Sequence, residues 1–193
     1  MHILFIRHGE SIDDIEDRYG GFADFDLTEK GRNQVSACTK KILDLDEKFE
    51  IILSSPLKRA HESAKIIATE FNLEIEIFEY LKERNLNGVL TGLTKSEAKE
   101  KYPNLVKIHN RWEYVDGSER TNDFNTRVKN GIQLLLDMKY DSLIAVTHGL
   151  FLKTFFKELM CINIAKVGDG GFALTHFNDK KFTLIQSDKI EFA

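Results

Sequence analysis

Three short apolar runs, each ending in a polar turn that leads into a helix-like segment, constrain this chain more than any other feature. The runs are residues 2–6 (HILFI), 51–55 (IILSS) and 142–147 (SLIAVT). Short runs of apolar and β-branched residues are typical of buried strands. Because such strands alternate here with helical segments, the pattern favours a parallel sheet. We therefore predict an α/β three-layer sandwich, with a mostly parallel central sheet flanked by helices.

The segments between these runs carry helix signals. Thr28 is a suitable N-cap for a helix over residues 28–45, and Ser55 with Pro56 predicts the start of the next helix. Apolar residues at helical spacing predict a further helix over 122–138, and another begins near Leu150. The remaining predicted elements are a strand at 74–78, a short helix near 94–102, and a closing hairpin of strands 171–177 and 182–187 around "NDKK".

The length and the lack of linkers favour a single domain over residues 1–193. A chain of 193 residues is long enough to bury one core, and its two prolines lie in no low-complexity tract. Residues 79–117 are a mixed segment with Gly88, Gly92 and Pro103, and we predict that this segment is a lid or insert over an active site.

Composition excludes several classes of function. The net charge of −4 and the pI near 5.9 give no general attraction for nucleic acid or for an anionic membrane. Cys38 and Cys161 have no disulfide-scaffold or metal-site spacing, so we expect free thiols in a reducing compartment. No apolar run approaches the roughly 20 residues that span a bilayer, and the chain starts with a strand rather than a cleavable leader. We expect a cytoplasmic protein.

Polar residues stand where each of the three buried strands ends. A parallel sheet brings these ends to one edge, which is where ligands bind in open α/β folds. Two imidazoles and two guanidiniums would then surround one anion. The segments are Arg7-His8-Gly9, then Ser54-Ser55-Pro56 with Arg59 one turn later, and Thr147-His148-Gly149.

These residue types suit the binding of an anion such as phosphate, or attack on it. A guanidinium matches phosphate oxygens two at a time, and a neutral imidazole is an accessible nucleophile near pH 7. Such a reaction needs chiefly positioning and electrostatic stabilisation of the transferred group. No P-loop, zinc-ligand pair or dinucleotide fingerprint is present in the sequence. We therefore predict no metal and no nucleotide cofactor.

The chain resembles the histidine phosphatase, or phosphoglycerate mutase-like, superfamily along nearly its whole length. The motifs that carry the resemblance occur in the family order: "RHGES" (7–11), "LTEKG" (27–31), "SSPLKRA" (54–60), "LKERNLNG" (81–88) and "VTHG" (146–149). The resemblance implies that His8 is the nucleophile that becomes phosphohistidine. It also implies that Arg7, Arg59 and His148 hold the phosphoryl oxygens, and that Glu83 is the general acid and base.

The same resemblance assigns a substrate-binding group. The first segment matches the cofactor-dependent mutases through Arg18, Tyr19, Gly21, Asp24 and Leu27. The residues that we expect on the substrate side are Asp14, Tyr19, Gly20, Gly21, Arg84, Gly149 and Leu150.

Asp14 and Asp17 depart from the mutase pattern, which usually has asparagines there that donate to phosphate. An ionised aspartate cannot donate a hydrogen bond and would repel a phosphate. Either the two carboxylates face away and pair with cations such as Arg18 or Arg84, or they recognise a cationic or hydroxyl-rich leaving group. In the second case the Asp14→Asn substitution would change substrate ranking more than phosphate affinity.

Other departures favour hydrolysis over mutase chemistry. Leu86 and Asn87 stand where an aromatic substrate contact is expected, Leu150 replaces an asparagine, and the segment 95–117 is shorter than the mutase lid. We predict a phosphomonoesterase acting on a small phosphorylated metabolite. Mutase or sugar-bisphosphatase activity is the alternative within the family, and the terminal hairpin offers an edge for a homodimer.

Two alternatives lie outside this enzymatic class. One is a catalytically silent family member that only binds a phosphorylated ligand, although the complete set of His8, Arg7, Arg59, His148 and Glu83 argues against it. The other is a metal-dependent hydrolase that uses His8, Glu10 and Asp14, and a chelator would abolish its activity.

Overall fold

The central sheet explains why three strand ends meet. In the computed structural model, which describes residues 1–111 and 113–193, six strands pair in the order β3-β2-β4-β1-β5-β6. The first four are mutually parallel, β5 is antiparallel to β1, and β6 is antiparallel to β5, so the sheet is mostly parallel as predicted. The strands are β1 (His2–Arg7), β2 (Ile51–Ser54), β3 (Ile75–Ile77), β4 (Ser142–Thr147), β5 (Ile164–Asn178) and β6 (Lys181–Phe192).

Helices cover both faces of this sheet. The helices of the described chain are α1 (Ile12–Ile15), α2 (Glu29–Leu43), α3 (Lys58–Phe71), α4 (Lys95–Lys101), α5 (Pro103–Asn110), α6 (Thr121–Leu136) and α7 (Gly149–Met160). Those that pack on the sheet are α2, α3, α6 and α7. Alternate residues of β1 serve opposite faces, because successive side chains of a strand point in opposite directions. Leu4 and Ile6 pack in the core with α2 and α3, whereas Ile3 and Phe5 pack with α6 and α7. This arrangement confirms the three-layer sandwich.

Several predicted boundaries are confirmed by local contacts. Thr28 caps α2 through its hydroxyl, which accepts a hydrogen bond from the Gly31 N–H at 2.9 Å. The closing hairpin turns at Asp179 and Lys180, both with positive φ (48° and 63°), as in the tight turns that favour hairpins. Its strands β5 and β6 extend well beyond the predicted 171–177 and 182–187.

The predicted N-cap at Ser55 is wrong. Helix α3 begins at Lys58 with Leu57 as its cap residue, so Ser55 lies in the turn that follows β2. The Ser55 hydroxyl is a hydrogen-bond partner of His148, at 2.8 Å from Nε2. A residue with N-cap chemistry is thus used at the strand end, a choice that the local sequence did not reveal.

The segment 79–117 forms a small apolar core together with Tyr19. Two 3₁₀ turns, Glu79–Leu81 and Gly88–Leu90, precede α4 and α5. Pro103 starts a second helix rather than ending the structured region, because proline is well suited to the first turn of a helix. The buried residues of this second core are Tyr19, Leu90, Ala98 and Val115. Residue 112 lies within the predicted lid but outside the described residues.

No helix among the described residues has both the length and the apolar character needed to cross a membrane. Strand β6 stands at one edge of the sheet. Pairing of this edge in a homodimer stays a prediction.

Candidate active site

Strand register brings the predicted catalytic segments together. Arg7 at the end of β1 pairs with Thr147 at the end of β4, and Ser54 at the end of β2 pairs with Val146. The residues that follow these pairs therefore emerge at the same edge. The rings of His8 and His148 lie with centroids 4.9 Å apart in an edge-on arrangement. The predicted convergence of the two histidines is confirmed.

The contacts of His8 define which ring nitrogen carries the lone pair. Nδ1 lies 2.7 Å from the Gly9 carbonyl oxygen, and a carbonyl only accepts, so we assign the ring proton to Nδ1. Nε2 of the neutral ring then carries the lone pair. It accepts the Nε–H of Arg59 at 3.2 Å. The backbone thus holds His8 in the tautomer that a nucleophile at Nε2 requires.

The surroundings of His8 also keep its imidazole neutral. The side chain is buried. Burial lowers the pKa of His8 well below its ordinary value, and the nearby charges of Arg59 and Arg7 lower it further. The ring is consequently uncharged at neutral pH, with its lone pair available.

Arg59 is a buried cation held in a fixed orientation. Its Nη1 and Nη2 donate to the carbonyls of Ala23 (2.8 Å) and Gly21 (2.9 Å), while its Nε faces His8. Gly21 adopts a φ of +63°, a conformation that favours glycine, and this turn lets its carbonyl face the guanidinium. The predicted substrate-side residue Gly21 therefore contacts Arg59 directly.

Arg7, at the end of β1, is the second arginine of the site. Its Nη1 donates to the Val167 carbonyl (2.5 Å) and its Nη2 pairs with Asp169 (2.9 Å). Its buried Nε has no hydrogen-bond partner within the described part of the chain. Gly149 lies beside this atom, since a Cβ at that position would be 3.6 Å from it.

His148 is fully buried behind His8. Its Nε2 is hydrogen-bonded to the Ser55 hydroxyl, and its Nδ1 has no partner among the residues described. Burial lowers the pKa of His148 well below its usual value, with further lowering from Arg59, His8 and Arg7. A phosphate dianion near this ring would favour its protonated form.

Glu83 supplies the carboxyl group of the predicted catalytic set. Its Oε1 accepts the backbone N–H of Arg84 (2.9 Å) and its Oε2 that of Leu150 (3.1 Å). Burial raises the pKa of Glu83, and this effect exceeds the lowering by those two N–H groups and by Arg59 and Arg7. Glu83 therefore retains its proton to higher pH than an ordinary glutamate, which suits a general acid.

The other predicted substrate-side residues have varied environments. Asp14 caps its own short helix, with Oδ2 accepting from the Ser11 N–H at 2.9 Å. Gly20 lies against Asp13, whose Oδ2 would be 2.3 Å from an added Cβ. Tyr19 is buried in the second core, with the Lys95 ammonium 3.3 Å from its ring centroid. Their contact with substrate stays a prediction.

Arg84 and Leu150 flank Glu83 through backbone groups. The guanidinium of Arg84 donates to the Glu119 carbonyl at 3.1 and 3.2 Å and to the Thr121 hydroxyl at 3.0 Å. Leu150 supplies the N–H to Glu83 and lines an opening beside it. A substrate contact by either side chain likewise stays a prediction.

Sequence reasoning missed two polar residues that organise the site, Asp169 and Arg127, and assigned a different role to a third, Ser55. Asp169 pairs with Arg7 from a bulged part of β5, and Ser55 contacts His148. Arg127, on α6, donates to the carbonyl of Glu83. Asp169 and Arg127 are distant in sequence from the residues that they hold, so no local motif marks them. Ser55 stands inside the quoted motif "SSPLKRA", but its helix-capping chemistry suggested another role.

The metal-dependent alternative required His8, Glu10 and Asp14 to act together. Glu10 is instead hydrogen-bonded to Thr28 (2.8 Å) and Lys30 (2.6 Å), and Asp14 to Ser11. Among the described residues, no group of three or more His, Cys, Asp or Glu side chains has the arrangement of a metal site.

Comparison with known proteins now identifies the family. The family model of the histidine phosphatase superfamily (branch 1) matches residues 3–184. This chain belongs to the histidine phosphatase superfamily. The family resemblance that the sequence motifs indicated is thereby confirmed.

Relatives within the histidine phosphatase superfamily include both phosphatases and mutase-like proteins. Phosphoserine phosphatase 1 of Hydrogenobacter thermophilus is 25% identical over 96% of this chain and 91% of its own. Phosphoglycerate mutase-like protein 4 of Arabidopsis thaliana is 32% identical over 81% of this chain and 70% of its own. The solved structure of the α-ribazole phosphatase from Shigella flexneri superposes with a TM-score of 0.82 at 23% identity, covering 96% and 95% of the two chains. That structural likeness confirms the phosphoglycerate mutase-like fold.

The two buried histidines predict a specific dependence of stability on pH. In the unfolded chain, His8 and His148 have a pKa of about 6.5, above their lowered values in the folded protein. Below pH 6.5 the unfolded state therefore binds protons that the folded state does not. The free energy of unfolding should fall by up to about 1.4 kcal/mol per pH unit for each histidine as the pH drops below that value.

Urea unfolding at pH 7.5, 6.5 and 5.5 measures this effect. The slopes, rather than the absolute stabilities, are compared between wild type and the His148→Gln variant. The variant should have the shallower dependence on pH. If the free energy of unfolding varied equally with pH in the two proteins, the His148 ring would not contribute to the pH dependence of stability.

Proposed function

We propose that this protein hydrolyses small phosphomonoesters through a phosphohistidine intermediate on His8. The observation that carries the proposal is the state of the His8 ring. Its Nδ1 is bound to the Gly9 carbonyl, and its Nε2 lone pair faces the buried Arg59 guanidinium. A neutral imidazole held beside a cation is suited to attack a phosphoryl group that the same cation attracts.

The first half of the reaction transfers the phosphoryl group to the enzyme. Nε2 of His8 attacks phosphorus in line, so that the N–P bond forms as the bond to the leaving oxygen breaks. Protonated Glu83 gives its proton to that oxygen, which departs as an alcohol. Arg7, Arg59 and His148 stabilise the charge on the three phosphoryl oxygens.

The second half returns the enzyme to its starting state. The Glu83 carboxylate takes a proton from a water molecule as the water oxygen attacks phosphorus. The N–P bond breaks and its electrons return to Nε2 of His8. Inorganic phosphate leaves, and Glu83 is protonated again for the next cycle.

Local contacts favour hydrolysis over mutase chemistry. Leu150 presents an apolar side chain where a mutase has an amide, and only its backbone N–H engages Glu83. Asn87 is buried, with its side-chain oxygen 2.9 Å from Nε2 of His109, and so holds the 79–117 segment together. Mutase or sugar-bisphosphatase activity remains the alternative within the family.

The opening beside Glu83 favours a leaving group that carries an anion. A cavity of about 290 Å³ is lined there by Arg7, Leu150, Lys153 and Lys166, among others. Lys153 donates to the neutral carbonyl of Ala165 at 2.7 Å, a contact that fixes the ammonium without neutralising it. Arg7 is already paired with Asp169, so the lysines supply the attraction for a carboxylate or a second phosphate.

Release of phosphate from a panel of phosphomonoesters, assayed with EDTA and no added metal, tests this function. Matched pairs such as 3-phosphoglycerate and glycerol 3-phosphate differ by one negative charge on the leaving group. We expect metal-independent turnover, with kcat/KM higher for the more anionic member, and a smaller ratio in the Lys153→Met variant. The absence of turnover on every substrate would contradict the proposal and favour a silent ligand-binding protein. Turnover that occurs without EDTA and is lost when EDTA is added would favour a metal-dependent hydrolase.

A further inference from the structure

The guanidinium of Arg127 uses all of its donors on the backbone of residues 80–83 and on the Glu119 carboxylate. Its Nη1 donates to the carbonyls of Tyr80 and Lys82, both at 3.0 Å, and its Nη2 to the carbonyl of Glu83, also at 3.0 Å. Its Nε and Nη2 form a two-point ion pair with the Glu119 carboxylate at 2.8 and 2.9 Å. An arginine has five N–H donors, so none is left over.

Glu119 also contacts the neighbouring residues Arg84 and Asn85 through its own backbone. Its backbone N–H donates to the carbonyl of Asn85 at 2.7 Å, and its carbonyl accepts from the Arg84 guanidinium at 3.1 and 3.2 Å. The backbone around Glu83 is therefore held on both sides of the carboxylate-bearing residue. We use the name Arg127–Glu119 clamp for this pair and its contacts with residues 80–85.

The clamp acts on a piece of chain that has little regular structure to hold it. Residues 82–87 lie between two 3₁₀ turns, outside any helix or strand. Both residues of the clamp are mostly shielded from water, with side chains 19% and 17% exposed. Charge-assisted hydrogen bonds in such a place are stronger than those on an open surface.

We propose that the Arg127–Glu119 clamp is a positioning device that aims the Glu83 carboxyl at the leaving oxygen. This inference rests on the proposed function, since it assigns to Glu83 the transfer of a proton. Arg127 itself contacts the backbone of Glu83 rather than any reacting atom. Its removal leaves the phosphoryl-holding groups Arg7, Arg59 and His148 in place, and affects the step in which the leaving group is protonated.

Comparing substrates with different leaving groups distinguishes a role in positioning Glu83 from a role in stabilising the fold. An alkyl phosphate releases a basic alkoxide that needs a proton, whereas p-nitrophenyl phosphate releases a stable phenolate that hardly does. In the Arg127→Gln variant we expect kcat/KM for glycerol 3-phosphate to fall by about 10²-fold, because small misplacements of catalytic groups have effects of that size. The value for p-nitrophenyl phosphate should change much less.

Lys129→Gln is the matched control. It lies on the same helix and loses one ion pair, to Glu158 at 2.6 Å, without touching the Glu83 segment. In this variant the ratio of kcat/KM for glycerol 3-phosphate to kcat/KM for p-nitrophenyl phosphate should equal that of the wild type. Arg127→Lys should behave like Arg127→Gln, since one ammonium cannot reproduce the five-donor fork.

A Glu83→Gln background provides the second test. In that background, adding Arg127→Gln should leave the ratio of kcat/KM for alkyl and aryl phosphates unchanged, because the general acid that Arg127 would position is already absent. If Arg127→Gln does not fold, Glu119→Gln keeps the shape of the pair and should shift the ratio in the same direction. Equal losses on both substrates would overturn the inference, whereas an inactive wild type would overturn the proposed function itself.

Discussion

The His8→Ala variant is expected to lose phosphatase activity by about 10⁴-fold or more on every phosphomonoester that the wild type hydrolyses. The reason is that the proposed covalent route requires the ring nitrogen Nε2 of His8 as its nucleophile. Nε2 of His8 faces Arg59, whereas Nε2 of His148 is engaged with Ser55. Loss of the nucleophile therefore removes the covalent route for aryl and alkyl substrates alike.

Two measurements check this expectation. Steady-state phosphate release gives the loss in rate, and rapid quenching of wild type with ³²P-labelled substrate should trap an acid-labile phosphoenzyme that the variant lacks. The matched control is His176→Ala, since His176 pairs with His2 at the opposite end of β1. Phosphate release by the His8→Ala variant at an unchanged rate would exclude His8 as the nucleophile.

The Glu83→Gln variant is expected to show the second-largest effect, and to show it selectively. General acid catalysis typically contributes about 10²–10⁴-fold, so alkyl phosphates should lose activity in that range. Aryl phosphates should lose less, since their leaving groups need little protonation. Dephosphorylation also needs Glu83 as a base, so the phosphoenzyme should accumulate when an aryl substrate is used.

The pH profile gives an independent reading of Glu83. Its raised pKa means that the acid form persists above the range of an ordinary glutamate and is lost as the pH rises through that raised value. The wild-type rate on alkyl substrates should fall on this alkaline side, and Glu83→Gln should abolish that limb. The substrate's own second ionisation, near pH 6, affects wild type and variant equally.

Glu79→Gln is the control for Glu83→Gln. Glu79 lies four residues earlier in the same segment and pairs with Lys82 at 2.8 Å, but it is exposed. Its removal should leave both the rate and the pH profile unchanged. A Glu83→Gln variant with the same alkyl-to-aryl ratio and alkaline limb as wild type would show that the proton comes from elsewhere.

Periodicity and local motifs were sufficient for the layout of the fold. The strands 2–6, 51–55 and 142–147 are recognisable because a strand buried on both faces must be apolar throughout. Thr28 identifies the start of α2 since capping depends only on neighbouring N–H groups. The positions of Arg7, His8 and His148 at strand ends, and of Arg59 in the helix that follows β2, were also accessible, because parallel strands place their carboxyl ends at one edge.

Tertiary structure alone decided how these residues are tuned and held. The tautomer of His8, the pairing of Arg7 with Asp169, the use of Ser55 by His148 and the clamp on the Glu83 segment all join residues distant in sequence or in orientation. Burial, which lowers the pKa of His8 and raises that of Glu83, is likewise a property of the packed chain. Sequence determined which groups reach the edge of the sheet, because strand order and side-chain type are local or periodic. Their charge states and aim depend on desolvation and on long-range hydrogen bonds, which exist only once the chain has folded.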